Sequence, residues 1–162
     1  MKTCIIYHSE TGNTRHVAQH LAPACGDPCL IEVGDRGDYQ ALTQFLIRCK
    51  RAQGEETTPI EPSTIDVTGF DILVMGSPVW AFKPTPVIHI AIDALKGCEG
   101  KTAVGFFTYS GMPGASEETF SQWCKARGMH VAGTMAIHMK DIENEKKTKE
   151  LAAIVNAAIR GQ

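Results

Sequence analysis

The chain has 162 residues, 43% of them hydrophobic and 21% charged, which suits one domain around a buried core and excludes a disordered chain. Its net charge of −2 and pI near 6.3 exclude the basic field that nucleic acids and anionic membranes attract. No apolar run approaches the roughly 20 residues that a membrane-spanning helix needs. Residues 1–7 are typical of a strand and not of a signal peptide, so we expect a cytoplasmic protein with a single domain over residues 1–162.

The first half of the chain alternates short apolar runs with amphipathic segments. The pattern predicts a strand over residues 4–7 and a helix over 14–21. A weaker strand over 30–33 and a helix over 39–51 follow. The segment 53–64 is rich in Thr, Pro and Glu and is predicted to be an exposed connection.

The second half repeats the alternation and begins with the clearest strand of the chain, over residues 71–76. Pro84 or Pro86 is expected in the first turn of the next helix, where a missing N–H costs little. Ser116 is expected to cap the helix after that. Strands are predicted over 102–107 and 131–139, and helices over 84–95, 116–126 and 144–159.

Near-continuous apolar strands between amphipathic helices indicate a parallel sheet that is covered on both faces. Five strand–helix units fit a doubly wound α/β fold, a three-layer α/β/α sandwich with five parallel strands in the order 2-1-3-4-5. In such a sheet, ligands bind beyond the carboxyl ends of the strands, beside strand 1. A functional site is therefore expected in the loops after strands 1, 3 and 4.

The loop after the first strand is suited to binding an anion. Residues 8–14 have the sequence HSETGNT and lead directly into a helix. Gly12 permits a tight turn, and the helix N-terminus adds unsatisfied N–H donors and a partial positive charge. No lysine or arginine lies within residues 9–14, so neutral donors alone would hold a phosphate there. An ordinary polar turn with a threonine cap is the alternative interpretation.

The motif Ser-x-Thr-Gly-Asn-Thr over residues 9–14, placed after an N-terminal strand, resembles the phosphate loop of flavodoxins. In that family the loop binds the 5′-phosphate of flavin mononucleotide (FMN). The resemblance implies a flavodoxin-like fold of the short-chain type. It also implies phosphate donors from the side chain or backbone of Ser9, Thr11, Asn13 and Thr14 and from the backbone of Glu10 and Gly12.

The loop after the third strand contains a tryptophan and a phenylalanine. Large aromatic side chains are unexpected in an exposed loop unless a ligand covers them. Residues 76–80 have the sequence GSPVW, which resembles the second flavin loop of a subgroup of short flavodoxin-like proteins. The isoalloxazine ring is a large flat aromatic system on which Trp80 is expected to stack, and Phe82 either contacts the ring or packs beneath the loop. The alternative is that both aromatic side chains pack beneath the loop. The residues assigned to FMN binding here are Ser77, Pro78, Val79, Trp80, Ala81 and Phe82.

The loop after the fourth strand has the sequence TYSGMPG over residues 108–114. In flavodoxins the matching loop binds the pyrimidine edge of the ring, and an aromatic residue there often stacks on the outer face. The resemblance implies this stacking role for Tyr109. The residues assigned to FMN binding here are Thr108, Tyr109, Ser110, Gly111 and Gly114.

Two features depart from flavodoxins that replace ferredoxin. Those proteins are usually strongly acidic, whereas this chain has a net charge of only −2 and carries Lys83 near the expected ring. Residues 78–83 contain no glycine, so a positive φ at Ala81 would cost about 1 kcal/mol more than at glycine. We hypothesise that the flavin semiquinone is stabilised less here than in a typical flavodoxin.

The resemblance implies an electron-transfer protein that carries electrons by means of a non-covalently bound FMN. Its partners would be redox proteins such as a reductase or ferredoxin-dependent enzymes, and we expect a monomer or weak dimer. No catalytic residue is expected, because FMN supplies the redox chemistry. The alternatives are a two-electron FMN-dependent NAD(P)H oxidoreductase acting on quinones, nitro compounds or metal chelates, and a non-redox FMN-binding module.

Cysteines and histidines suggest no further centre. The six cysteines have neither thioredoxin-type nor zinc-type spacing, and we expect reduced, mostly buried thiols. His16 and His20 are four residues apart on the first helix and are interpreted as a solvated surface pair, with no metal expected. His8 adjoins the phosphate loop, where it either tunes the site near neutral pH or simply ends the strand.

Overall fold

Five parallel strands form the central sheet of the protein. The computed structural model describes residues 1–35 and 60–161, and the helix predicted over 39–51 lies outside them. The strands are β1 (Thr3–Tyr7), β2 (Cys29–Glu32), β3 (Ile72–Trp80), β4 (Thr102–Tyr109) and β5 (His130–His138). The helices are α1 (Asn13–Leu21), α2 (Pro86–Asp93), α3 (Ser116–Ala126) and α4 (Glu145–Arg160).

The order of strands in the sheet is β2-β1-β3-β4-β5, which confirms the predicted order 2-1-3-4-5 and the flavodoxin-like fold. β1 lies between β2 and β3, with Cys4 opposite both Cys29 and Leu73. All these pairings are parallel, so the carboxyl ends of β1, β3 and β4 meet at one edge.

Alternate residues of the strands build a core on each face of the sheet, as the two-residue period requires. On one face, Phe107 of β4 packs with α2 and α3, and its ring meets the ring of Phe120 with centroids 5.4 Å apart. On the other face, Phe106 packs with α1 and α4 through side chains such as Val17 and Leu151. Within the described residues, no helix is both long and apolar enough to cross a membrane.

β3 and β4 extend beyond their predicted ends. β3 was predicted to end at residue 76 but continues to Trp80, because parallel pairing with β4 continues to Pro78 opposite Thr108. Beyond that point the chain folds back as Lys83–Pro84, which pairs antiparallel with the end of β3. Residues 77–80 of the predicted ring loop are therefore strand.

Two further expectations are corrected by the structure. Ile60 was predicted to lie in an exposed connection, but this apolar side chain is buried in the core, and Ile60–Glu61 pairs antiparallel with Gly34–Asp35. Ser116 was predicted to cap α3, but it is the first residue of that helix, and its hydroxyl donates to the Pro113 carbonyl oxygen.

A substitution at Gly76 tests how tightly the carboxyl end of β3 is packed. A Cβ at this position would overlap the buried ring of Phe106. We expect Gly76→Ala to lower the free energy of unfolding by about 1–3 kcal/mol, measured by urea denaturation. Gly69→Ala is the matched control, because nothing lies within 4 Å of a Cβ there. Equal stabilities of the two variants would contradict this account of the packing.

Candidate functional site

A cavity of about 710 Å³ opens at the carboxyl ends of β1, β3 and β4. This volume falls in the range of small-molecule and cofactor sites. Every one of the three predicted loops contributes to its wall. The lining residues are Glu10, Thr11, Asn13, Pro78, Val79, Trp80, Ala81, Phe82, Thr108, Tyr109, Ser110, Gly111, Met112 and Met139.

The structure thus brings together most of the residues predicted from the sequence. The predicted residues that do not line the cavity are Ser9, Gly12, Thr14, Ser77 and Gly114. Sequence reasoning missed Met112 and Met139. Met112 lies inside the predicted third loop and could have been found there, whereas Met139 follows β5, a strand to which no site was assigned.

The first loop presents the N-terminus of α1 to the cavity. Gly12 occupies the N-cap position with φ +94° and has no side chain that could cap the helix. The hydroxyl of Ser9 accepts a hydrogen bond from the Arg15 N–H at 3.1 Å, so Ser9 shapes the loop from within. The first turn contains no acidic residue. Its N–H groups therefore suit an anion.

A buried hydrogen bond joins the first loop to the third. The hydroxyls of Thr14 and Thr108 lie 2.7 Å apart, and both side chains are buried. This contact explains why Thr14 does not line the cavity: its side chain points into the protein and fixes the start of α1 against β4.

An ion pair ties α1 to β2. The Arg15 guanidinium donates to both carboxylate oxygens of Glu32, with Nε 2.9 Å from one and Nη2 2.5 Å from the other. The hydrogen bond from Arg15 lowers the pKa of the Glu32 carboxyl, and a second bond from the Tyr7 hydroxyl acts in the same direction. The charge of Arg15 is thus directed at Glu32, outside the cavity wall.

His8 lies behind the wall and contacts three neighbouring segments. Its Nδ1–H donates to the Val33 carbonyl oxygen at 2.8 Å, and its backbone N–H donates to the Gly76 carbonyl oxygen at 3.0 Å. Its ring meets the Trp80 ring edge-on, with centroids 5.9 Å apart. Its Nε2 lies 3.3 Å from Glu10 Oε1, within ion-pair distance but outside hydrogen-bond geometry.

The second loop is a two-residue hairpin turn in a strained conformation. Ala81 and Phe82 have φ of +47° and +67°, between the paired residues Trp80 and Lys83. Two consecutive positive φ angles characterise the type I′ turn, which usually contains Asn or Gly. Ala81 thus has the positive φ whose cost was considered in the sequence analysis, and Phe82 also has a positive φ.

The third loop holds this turn in place. The Ala115 N–H donates to the Phe82 carbonyl oxygen at 3.0 Å. Gly114 has φ +56°, and a Cβ there would lie 2.5 Å from the same oxygen and 2.7 Å from Phe82 Cα. At the base of the hairpin, the hydroxyl of buried Ser77 accepts the Thr85 N–H at 3.0 Å. Ser77 and Gly114 therefore support the wall instead of forming it.

The aromatic side chains differ in their surroundings. Trp80 and Tyr109 are half-buried in the cavity wall. Phe82 is 57% exposed, so it does not pack beneath the loop. Met112 is 69% exposed and Met139 is 48% exposed. Phe82, Met112 and Met139 together form an exposed apolar edge around the cavity, which we call the rim.

The third loop is also held from β5. The His138 Nε2–H donates to the Ser110 carbonyl oxygen at 2.9 Å, and His138 Nδ1 accepts the Lys140 N–H at 3.2 Å. The ring of His138 meets Tyr109 edge-on at 5.1 Å. These contacts place the Tyr109 ring against the cavity.

Comparison with known proteins identifies the family. A sequence model of the NADPH-dependent FMN reductase family matches residues 1–143. The chain belongs to this family. Among curated proteins, no significant sequence match was found.

Solved structures of flavoproteins share the fold. A flavoprotein from Lactobacillus acidophilus NCFM, crystallised in complex with FMN, has 26% identity and a TM-score of 0.68, covering 91% of this chain and 98% of its own. The two-electron reduced flavodoxin of Megasphaera elsdenii has 20% identity and a TM-score of 0.63, covering 96% and 98%. A WrbA-like flavodoxin from Agrobacterium tumefaciens has 14% identity and a TM-score of 0.63, covering 99% of each chain. At these lower identities the likeness concerns the fold alone.

The family assignment supports FMN as the cofactor, and the geometry of the site fits it. The N-terminus of α1, with no side chain at its N-cap Gly12, offers backbone N–H groups for a phosphate. Trp80 and Tyr109 offer aromatic surface for a flat ring. Within residues 1–35 and 60–161, no cluster of three or more potential ligands could hold a metal ion. His16 and His20 stack on each other at 3.9 Å at the surface.

Gly114 tests whether the third loop holds the hairpin turn in its FMN-binding position. In Gly114→Ala, the new Cβ would displace the backbone of Phe82. We expect the dissociation constant for FMN, measured by quenching of flavin fluorescence, to rise about tenfold or more. Gly100→Ala is the control, because Gly100 shares a positive φ of +74° but has nothing within 4 Å of a Cβ. Unchanged FMN affinity in Gly114→Ala would show that the turn holds its position without this contact.

Proposed function

We propose that this protein is a two-electron, FMN-dependent NAD(P)H oxidoreductase that passes electrons to a small acceptor. The match of residues 1–143 to the NADPH-dependent FMN reductase family is the observation that carries the proposal. It favours the enzyme over the electron carrier that the flavodoxin resemblance first suggested. The protein's own residues bind and orient FMN, and FMN supplies the hydride and electron chemistry when bound.

The fixed hairpin turn supports two-electron chemistry. In many flavodoxins, a glycine in this loop lets a peptide flip towards the flavin when one electron is added. Here the turn has Ala81 and Phe82 in place of glycine, and the Phe82 carbonyl oxygen already accepts the Ala115 N–H. A flip of that peptide would break the hydrogen bond, so a one-electron state gains little from this loop.

The rim supports a small, uncharged and aromatic acceptor, such as a quinone or a nitroaromatic compound. Phe82, Met112 and Met139 surround the opening with exposed apolar surface. Methionine side chains adapt to ligands of different shape and make favourable contacts with aromatic rings. Among the described residues that line the cavity, Glu10 is the one with a charged side chain, so the wall offers no cation to an anionic acceptor.

Direct oxidation of NADPH tests the proposal. We expect the purified, FMN-loaded protein to oxidise NADPH with benzoquinone as acceptor and with no added reductase, at a rate that saturates in both substrates. The electron carrier would replace the enzyme as the better interpretation if NADPH were not oxidised while a separate reductase reduced the bound flavin one electron at a time.

A charge on the rim tests the class of acceptor. We expect Met112→Glu to lower kcat/KM for benzoquinone about tenfold, because the neutral ring would lose apolar contact beside the flavin. The oxidation of NADPH alone, followed in single turnovers, would change less. Ala153→Glu places the same charge on the exposed surface of α4, away from the cavity, and serves as the control. Equal losses in both variants would argue against acceptor contact at Met112.

A further inference from the structure

His8 presents a buried polar atom that the site described so far leaves unexplained. Its side chain is nearly inaccessible, with 4% of the residue exposed. Because a carbonyl oxygen can only accept, the bond to Val33 places a proton on Nδ1. Nε2 is then the remaining ring nitrogen, and among residues 1–35 and 60–161 it has no hydrogen-bond partner.

Nε2 faces a second acceptor. Glu10 Oε1 lies 3.3 Å away, and neither a neutral imidazole Nε2 nor an ionised carboxylate carries a proton to share. The lone pair of the buried Nε2 and those of the partly accessible Glu10 carboxylate repel each other at this distance. One added proton on Nε2 would turn the repulsion into a charge-assisted contact.

Bound FMN would make protonation of His8 Nε2 more favourable. Its phosphate monoester carries a charge of about −1.5 to −2 near pH 7. The first loop has no lysine or arginine between residues 9 and 14, and Arg15 is bound to Glu32. The Glu10 carboxylate, in the wall of the cavity, would repel the phosphate. An imidazolium at His8 would offset this repulsion.

We propose that His8 is a positioning residue that takes up a proton from solvent when FMN binds, and that the imidazolium then pairs with Glu10 beside the FMN phosphate. A hydronium ion or buffer acid gives up the proton, which forms an N–H bond at Nε2, and no redox step is involved. The proposal rests on FMN binding and is independent of the acceptor that the enzyme uses.

The other groups around His8 fit this role. Glu32 at the end of β2 interacts with the charge of His8, but the Arg15 guanidinium and the Tyr7 hydroxyl already bind its carboxylate. From β3, the neighbour is the ring of Trp80, whose centroid lies 5.9 Å away. The two rings are nearly perpendicular, with an angle of 86° between their planes. Glu10 and Trp80, both in the cavity wall, are thus joined through His8.

Titration calorimetry measures the proton directly. FMN is titrated into the apoprotein near pH 7.5 in two buffers of different ionisation enthalpy, which gives the number of protons bound with FMN. We expect clear proton uptake in the wild type and its loss in His8→Asn, whose amide can still donate to the Val33 carbonyl oxygen. His20→Asn, on the exposed surface of α1, should match the wild type. The same proton number in wild type and His8→Asn would overturn the proposal.

The pH profile separates a charge effect from a packing defect. Since both proteins bind the same ligand, the titration of the FMN phosphate cancels in the ratio of the dissociation constants of His8→Asn and wild type. We expect this ratio to rise about tenfold between about pH 8 and about pH 5.5. Riboflavin, which lacks the phosphate, should give a flat ratio. A flat ratio for FMN, or an equal rise for riboflavin, would overturn the proposal.

A third measurement needs no variant. The imidazole proton resonances of His8 are followed by NMR against pH in the apoprotein and in the FMN complex. We expect the titration of His8 to move to higher pH in the complex, while that of His20 stays in place. An unmoved His8 titration would overturn the proposal even if His8→Asn failed to fold.

Discussion

The parallel pairing of β1, β3 and β4 is the constraint on which the rest of the structure depends. Parallel strands point the same way, so the loops at their carboxyl ends meet at one edge of the sheet although they are far apart in sequence. The close fit of Gly76 over the ring of Phe106 belongs to the same constraint, since it sets how β3 lies beside β4. The cavity is a consequence of this pairing.

The loops also hold each other. Thr14 bonds to Thr108, and the Ala115 N–H bonds to the Phe82 carbonyl oxygen, so the third loop supports both others. Positive φ at two adjacent non-glycine residues costs free energy, and such strain persists where the surrounding structure fixes it. A wall fixed before the cofactor arrives lowers the entropy lost on binding. It also leaves little freedom for a loop that would respond to the redox state.

Charge is distributed unevenly around the cavity. At the phosphate end, neutral N–H donors of α1 face the cavity, while Arg15 is bound to Glu32. At the ring end, exposed Phe82 and Met112 make the opening apolar. This division suits a ligand with an anionic tail and a flat aromatic head. In the proposal made above, the pair of His8 and Glu10 couples the binding of FMN to the uptake of a proton.

The sequence by itself determined which segments are strands, the three loops and the family resemblance, because strand periodicity and the Ser-x-Thr-Gly-Asn-Thr motif are local properties of the chain. The strand order was predicted from the doubly wound fold that this pattern fits, and the structure confirms it. Contacts between distant segments were decided only by the tertiary structure. The extension of β3 to Trp80 required its partners in β4 and in Lys83–Pro84. Met139 lies in the cavity wall because β5 lies beside β4. Nε2 of His8 faces Glu10 because the other ring nitrogen donates to the Val33 carbonyl oxygen. Such contacts join residues whose separation in sequence carries no periodic signal, so pattern reasoning could not reach them.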